Sequence, residues 1–191
     1  RVRTRNTGTD ARFYVAIFAA ILVLAATAAM VMPAGTQKYG IVSAEFESER
    51  ADVIPMGESK DLNYTLTNGG LVPAHVYLEP ASEGVETEPN HVYLAGRSSV
   101  NATLTLHAPP QTGYYRRFVT EHRYLALLPA PAIQYLYSVH PWAPIVAIDA
   151  LIGVPFYLVG VALAGGGRLR ERSRDRDRSL TARLRRAVMG R

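Results

Sequence analysis

The side chains of this 191-residue sequence that could do chemistry are scattered along the chain. Five histidines stand singly, and none shows the HxxxH spacing that places two metal ligands on one helix face. They are His75, His91, His107, His122 and His140. Cysteine is absent, so the sequence excludes thiolate metal sites and disulfides. We therefore expect no metal ion and no cofactor.

Nucleophilic catalysis also finds no support in the local patterns. Serine, histidine and aspartate all occur, but no serine lies in a nucleophile elbow or another strained turn. Ser138 and His140 are close in sequence, in a stretch that we interpret as structural. The run of three glycines at 165–167 follows an apolar helix, which is the wrong context for a phosphate-binding loop. The sequence thus predicts no catalytic residue in this chain.

One acidic residue and two asparagines remain as candidate sites. Asp149 is the single charge in an apolar stretch, where ionisable residues are costly and often functional. It either pairs with a partner, or reaches water or makes a hydrogen bond in helix packing. Asn63 and Asn101 each begin an Asn-x-Thr sequon and are candidate glycosylation sites.

Two apolar stretches lie near the ends of the chain and are long enough to cross a bilayer as helices, at 13–32 and 144–164. The first is longer than the apolar region of a usual signal peptide, although the small residues at 33–35 leave a cleavage site open as an alternative. We expect two transmembrane helices.

The charges divide the chain into three regions. Residues 1–12, a short stub that includes Arg12, carry a net charge of +3, and the tail at 165–191 carries +7 with Arg168, Arg170 and Arg172 at its start. The region between the helices carries −4. Arginine excess at both ends predicts cytoplasmic termini and an extracellular central domain in a multi-pass protein of the cell membrane.

This charge distribution also bears on partners. No basic patch is expected on the central domain, so a nucleic-acid partner is not predicted. The arginine-rich tail either lies on anionic lipid as a basic amphipathic segment or is a solvated charge run that enforces topology. The lipid bilayer is the partner that the sequence itself indicates.

The central region reads as short strands separated by turn signals every 8–12 residues, which predicts an Ig-like β-sandwich over 36–112. Alternation at period 2 selects the side chains that face the core. These are Val42, Leu62, Tyr64, Leu66, Val76, Leu78, Val92, Leu94, Leu104 and Leu106.

Residues 113–140 differ in pattern from the region before them. A strand at 114–119 is followed by a short amphipathic helix at 131–139, with tyrosines and Trp142 close to the second apolar stretch. Amphipathic aromatic residues favour the headgroup region of a bilayer. We interpret 113–140 as an interfacial apron on the outer leaflet, with ordinary domain core as the alternative.

Four segments resemble the C-terminal extension of haloarchaeal type I signal peptidases. They are 67–82 (TNGGLVPAHVYLEPAS), 97–115 (RSSVNATLTLHAPPQTGYY), 113–129 (GYYRRFVTEHRYLALLP) and 139–160 (VHPWAPIVAIDALIGVPFYLVG). The resemblance covers the chain from about residue 32 onward and includes no catalytic motif.

The resemblance implies a role in signal-peptide processing of exported proteins. In that family an extracytoplasmic serine protease domain pairs its nucleophile, in a Ser-x-Met-Pro motif, with the histidine of a Ser-His-Arg motif. Neither motif occurs here, and Glu121-His122-Arg123 is only superficially similar to the second. We therefore carry over no catalytic residue, and expect the protease domain upstream of Arg1.

Three hypotheses follow for the whole chain. The first is a membrane-anchored accessory region that works with a signal peptidase catalytic domain, the translocon or exported proteins. The second is a stand-alone, non-enzymatic membrane protein with an Ig-like binding ectodomain. The third makes the arginine tail a docking site for a nucleic acid or ribosome, for which salt-sensitive binding would be the sign.

Overall fold

The computed structural model describes residues 10–164. Two long apolar helices flank a region of eight strands and one short helix. The helices are α1 (Ala11–Val31), α2 (Ala130–Val139) and α3 (Ala143–Ala164). The strands are β1 (Gly35–Ala44), β2 (Val53–Pro55), β3 (Ser59–Asn68), β4 (Ala74–Pro80), β5 (Val85–Glu88), β6 (His91–Leu94), β7 (Ser98–His107) and β8 (Gly113–Leu125).

The chain divides into two compact units. One is Ala20–Pro155, which holds all the strands, α2 and the adjoining halves of α1 and α3. The other contains the described residues 10–19 and 156–164, the remaining parts of the two long helices. The sites discussed below lie within Ala20–Pro155.

The strands form a two-sheet sandwich, which confirms the mainly β prediction. One sheet has five strands in the order β2-β1-β8-β4-β6, and the other has three in the order β3-β7-β5. All pairings are antiparallel except that of β1 with β2. Alternating strands of this kind bury one face and leave the other polar, as the sequence pattern predicts.

The core between the sheets is largely the predicted one. Seven of the ten predicted side chains are buried: Leu66, Val76, Leu78, Val92, Leu94, Leu104 and Leu106. Leu62 and Tyr64 are half-buried and pack against them. Val42 is the exception, because on β1 it is Ile41 that is 1% exposed and enters the core. Adjacent residues of a strand point to opposite faces, so this prediction was off by one position.

The predicted domain boundary at 112 moves in the structure. β8 (Gly113–Leu125) is the central strand of the five-stranded sheet and pairs with β1 on one side and β4 on the other. The first half of the predicted apron is therefore sandwich, not a separate interfacial layer. The amphipathic helix predicted at 131–139 is present as α2.

The two terminal helices are each long and apolar enough to cross a membrane. Within Ala20–Pro155 they run antiparallel in contact: Thr27 meets Asp149, and one turn away a Cβ on Gly153 would lie 2.6 Å from Val23 Cγ2. In the other unit, the absence of a side chain at Gly160 leaves room for Val15. Glycine at both positions allows close packing of the helices.

Candidate functional site

A second hydrophobic cluster joins the sandwich to the helix ends. We call it the junction cluster, and its buried members are Met30, Tyr77, Tyr124, Ile133, Ile145 and Ile148. They come from α1, the outer face of the five-stranded sheet, α2 and α3. Because three helices and the sheet share this one core, the sandwich and the adjoining helix ends pack as a single body.

The connections around the junction cluster are short. Three residues separate the end of α1 from the start of β1, and three separate α2 from α3. The Tyr124 hydroxyl donates a 2.8 Å hydrogen bond to the carbonyl oxygen of Pro141, which ties β8 to the α2–α3 connection. The chain therefore has no flexible linker between the sandwich and either long helix.

Asp149 directly follows Ile148 of the junction cluster on α3 and contacts α1. Its Oδ2 is 2.6 Å from Thr27 Oγ1, which is also 3.0 Å from the Val23 carbonyl oxygen. Asp149 Oδ1 is buried and has no hydrogen-bond partner among the described residues. Of the alternatives drawn from the sequence, the structure shows the hydrogen bond in helix packing.

Four rings stack above the junction cluster, in the order His75, His91, Tyr77, Tyr137. Successive ring centroids are 5.2, 4.5 and 4.9 Å apart with interplanar angles of 20–27°. His75 Nδ1 lies 3.0 Å from His91 Nε2, which requires one nitrogen to donate and the other to accept. The stack binds α2, which carries Tyr137, to strands β4 and β6.

Burial favours the neutral form of both imidazoles. Desolvation lowers the pKa of His75, and the neighbouring His91 lowers it further. Desolvation also lowers the pKa of His91. For Tyr137, desolvation followed by its hydrogen bond to Glu79 raises the pKa of the phenol. The ring stack is uncharged at neutral pH.

Glu79 is the polar centre next to this stack. Its Oε2 accepts a 2.7 Å hydrogen bond from the Tyr137 hydroxyl and lies 3.2 Å from His122 Nε2. Glu79 also lines an open groove of about 820 Å³ between α2 and the β4–β5 side of the sandwich. The groove's aromatic and polar lining includes Tyr77, Glu86, Asn90 and Gln134. We call it the α2 groove.

A buried ion pair lies on the opposite face of β8. Glu121, 5% exposed, pairs with Arg123 and accepts a 2.8 Å hydrogen bond from the Tyr64 hydroxyl. Arg123 also donates to the Thr67 carbonyl oxygen at 2.7 Å. His122 points to the other face of the strand, toward Glu79. Glu121 and Arg123 therefore lie on one face of β8 and His122 on the other, so the three side chains do not form one site.

The remaining predicted residues are dispersed. Asn63 and Asn101 are exposed on the outer face of the three-stranded sheet, in reciprocal register: Asn63 pairs with Thr103, and Thr65 pairs with Asn101. Arg12 is exposed in the first turns of α1. Arg168, Arg170 and Arg172 lie outside the described residues.

Over residues 10–164, no three His, Asp or Glu side chains are grouped so that they could hold a metal ion. The closest imidazoles, His75 and His91, bond to each other.

The α2 groove was missed by sequence reasoning. The signal was present, since His75, Tyr77 and Glu79 occur at period 2 on β4 and so share a face. That face lies outside the sandwich core, and only the covering helix turns it into a site. Tyr137 becomes recognisable only when α2 is placed on the sheet.

Comparison with known proteins adds fold-level neighbours only. No family model matches the chain, and no curated protein matches it. The solved structures that are similar to this chain include SSP-19, an MSP-domain-like protein of Caenorhabditis elegans. It has 17% identity and a TM-score of 0.33, and the match covers 48% of this chain and 77% of that one. They also include PapD-like domain 7 of human CEP192, at 14% identity and a TM-score of 0.30, covering 47% and 73%.

Proposed function

We propose that α1 and α3 span the cell membrane, with both termini in the cytoplasm and an Ig-like sandwich outside. Their hydropathy and length support this, and so does their antiparallel contact at Thr27–Asp149 and Val23–Gly153. The arginine excess at both ends of the sequence favours the same orientation.

The absence of cysteine makes this topology directly testable. Phe46→Cys, in the exposed loop after β1, should react with a membrane-impermeant maleimide in intact cells. Arg170→Cys, in the tail, should react only after the membrane is opened. Labelling of Arg170→Cys in intact cells would refute the orientation.

Within this topology, we infer that the chain is a rigid accessory platform for signal-peptide processing of exported proteins. The observation that carries the rigid platform is the junction cluster, which packs the sandwich directly on the ends of α1 and α3. The processing role rests on the sequence resemblance. A sandwich held in this way keeps a constant height and orientation over the bilayer. Such a platform would hold a signal peptidase catalytic domain, or an exported protein, near the outer leaflet.

The partner surface that the geometry favours is the α2 groove, because its aromatic rings and the carboxylates of Glu79 and Glu86 offer both apolar and hydrogen-bonding contacts. The resemblance of 67–82 and 113–129 to the signal peptidase extension supports the same process.

The test is a reconstitution of precursor processing. Membranes that contain a signal peptidase with this chain should process an exported precursor faster than membranes that lack the chain. Gln134→Arg, on the exposed lip of the α2 groove, should remove most of the gain. Arg97→Gln, an exposed change away from the groove, is the control.

Equal processing with and without the chain would refute the processing role. In that case the stand-alone binding ectodomain is the function left, and the open α2 groove is the observation that favours it. A photo-crosslinker placed at Gln134 would then identify the bound molecule in intact membranes.

A further inference from the structure

We propose that the loop at residues 69–72 is a second membrane contact, which inserts Leu71 and Val72 into the outer surface of the bilayer. This inference rests on the proposed membrane placement of α1 and goes beyond it. The loop connects β3 to β4 and is here called the juxtamembrane loop.

The first observation is that the juxtamembrane loop is held in one conformation. Asn68, 8% exposed, donates from Nδ2 to the carbonyl oxygens of Val72 and Ala95 at 2.9 and 3.0 Å. Its Oδ1 accepts from the Gly70 N–H at 3.0 Å, and the Gly70 carbonyl accepts from the Arg97 N–H at 2.9 Å. These bonds pair the Gly70 N–H and the carbonyl oxygens of Gly70 and Val72, and so hold the loop in place.

Gly96, on the connection between β6 and β7, also fixes the position of the juxtamembrane loop. A Cβ at Gly96 would overlap the carbonyl oxygen of Leu71, so this position must lack a side chain for the loop to sit where it does. The close approach presses the backbone of Leu71 against the connection between β6 and β7. The side chain of Leu71 is consequently directed outward.

The second observation is that this fixed loop exposes its apolar side chains. Leu71 is 73% exposed and Val72 is 44% exposed. Two adjacent apolar residues held rigidly at a loop tip indicate a surface that something else covers. A mobile loop could fold such residues back, but the hydrogen bonds of Asn68 prevent this.

The third observation identifies what covers them. The juxtamembrane loop and the last turn of α1 line one largely apolar groove of about 470 Å³, whose lining includes Met30, Met32 and Pro33 and also Arg123. Met32, at the end of α1, is 83% exposed. If α1 spans the membrane, its last turn lies at the bilayer surface, and the loop beside it lies at the same depth. The occupant is therefore lipid.

The chain contains a single tryptophan, Trp142, which makes a fluorescence test possible. In full-length chain reconstituted into vesicles, brominated phospholipid should quench native Trp142. In a Trp142→Phe background, Leu71→Trp should be quenched about as strongly and should have a blue-shifted emission maximum. Val72→Trp in the same background should behave in the same way.

The matched control is Phe46→Trp, again in the Trp142→Phe background. Phe46 is also an exposed apolar residue, but it follows the far end of β1, about 30 Å from the helix ends for a ten-residue strand. It should show no quenching. If Leu71→Trp is quenched no more than Phe46→Trp, the inference is overturned.

The outcomes separate this inference from the proposed topology. If Trp142 is quenched but Leu71→Trp is not, the loop insertion alone is refuted. Absence of quenching at Trp142 would refute the membrane placement and the loop insertion together. A blue shift of Leu71→Trp without lipid quenching would mean that a second copy of the chain or another protein covers the loop, and this also overturns the proposal.

Discussion

At the scale of residues, the sandwich contains a buried charge, Glu121. Glu121 lies between the sheets with its carboxylate bonded to Arg123 and to the Tyr64 hydroxyl. Desolvation raises the pKa of Tyr64, and the bond to Glu121 adds to the shift. A buried ion pair often contributes little net stability, whereas removing one partner leaves a buried unpaired charge.

We therefore predict that Arg123→Met lowers the free energy of unfolding by about 3–5 kcal/mol, because it leaves Glu121 uncompensated. The double variant Glu121→Leu with Arg123→Met should recover most of this loss, because no charge then remains buried. Denaturant unfolding of the chain in detergent micelles measures both. A double variant as unstable as the single one would contradict the account.

Asp149 illustrates a second residue-scale effect, in an apolar helix pair. Replacing Thr27 by Val should weaken the contact between α1 and α3 by about 1–2 kcal/mol, since it removes the partner of Asp149 Oδ2 and leaves the carboxyl group unsatisfied. Thr27→Ser keeps the hydroxyl group and is the matched control. Unfolding in bicelles would reveal the difference, and equal stability of the two variants would argue against the hydrogen bond.

At the scale of elements, α2 covers part of the outer face of the five-stranded sheet. That face carries Tyr77 and Tyr124, two rings that would otherwise be more exposed to solvent. From α2, Tyr137 packs against both rings, and Ile133 is fully buried in the same cluster. Burial of this aromatic surface is what stabilises a ten-residue helix, which would be marginal in isolation.

The ring stack predicts a loss of stability in acid. The pKa values of His75 and His91 are lowered in the folded protein, so the unfolded chain binds more protons below its own histidine pKa of about 6.5. Stability should be constant above that pH and should fall as the pH drops below it. Protonation of both rings would also break the hydrogen bond between His75 and His91.

Unfolding of the chain at pH 7.5 and pH 5 measures this effect. His91→Gln is the matched control, because it removes one titrating ring and the repulsion between the two. It should lose less stability between the two pH values than the natural chain loses. Tyr77, which stacks on His91, has a pKa raised by desolvation, so its phenol stays neutral at both pH values. An unchanged pH dependence in His91→Gln would contradict the assignment.

At the scale of the whole molecule, the junction cluster determines whether the sandwich acts as a platform or as a tethered domain. Ile148→Ala should cost about 2–5 kcal/mol locally and loosen the sandwich from the helix ends. A fluorophore on Phe46→Cys would report this as faster depolarisation. Leu66→Ala, equally buried in the core between the sheets, should destabilise the sandwich without that change in motion.

The amino-acid sequence by itself determined where most of the strands and both long helices lie. Period-2 alternation located most strands and seven of the ten predicted core residues, because a half-buried strand must alternate. It assigned the wrong face of β1 to the core, since Ile41 and Val42 are both apolar and alternation cannot choose between them. Apolar length likewise located α1 and α3.

The tertiary structure decided which elements share a surface. The sequence pattern placed β8 outside the sandwich, because its polar and aromatic residues do not alternate as those of a half-buried strand do. In the structure, β8 nevertheless pairs with β1 on one side and β4 on the other. The junction cluster, the ring stack and the Thr27–Asp149 hydrogen bond join residues up to 122 positions apart. Such contacts depend on the packing of whole elements, which local periodicity does not encode.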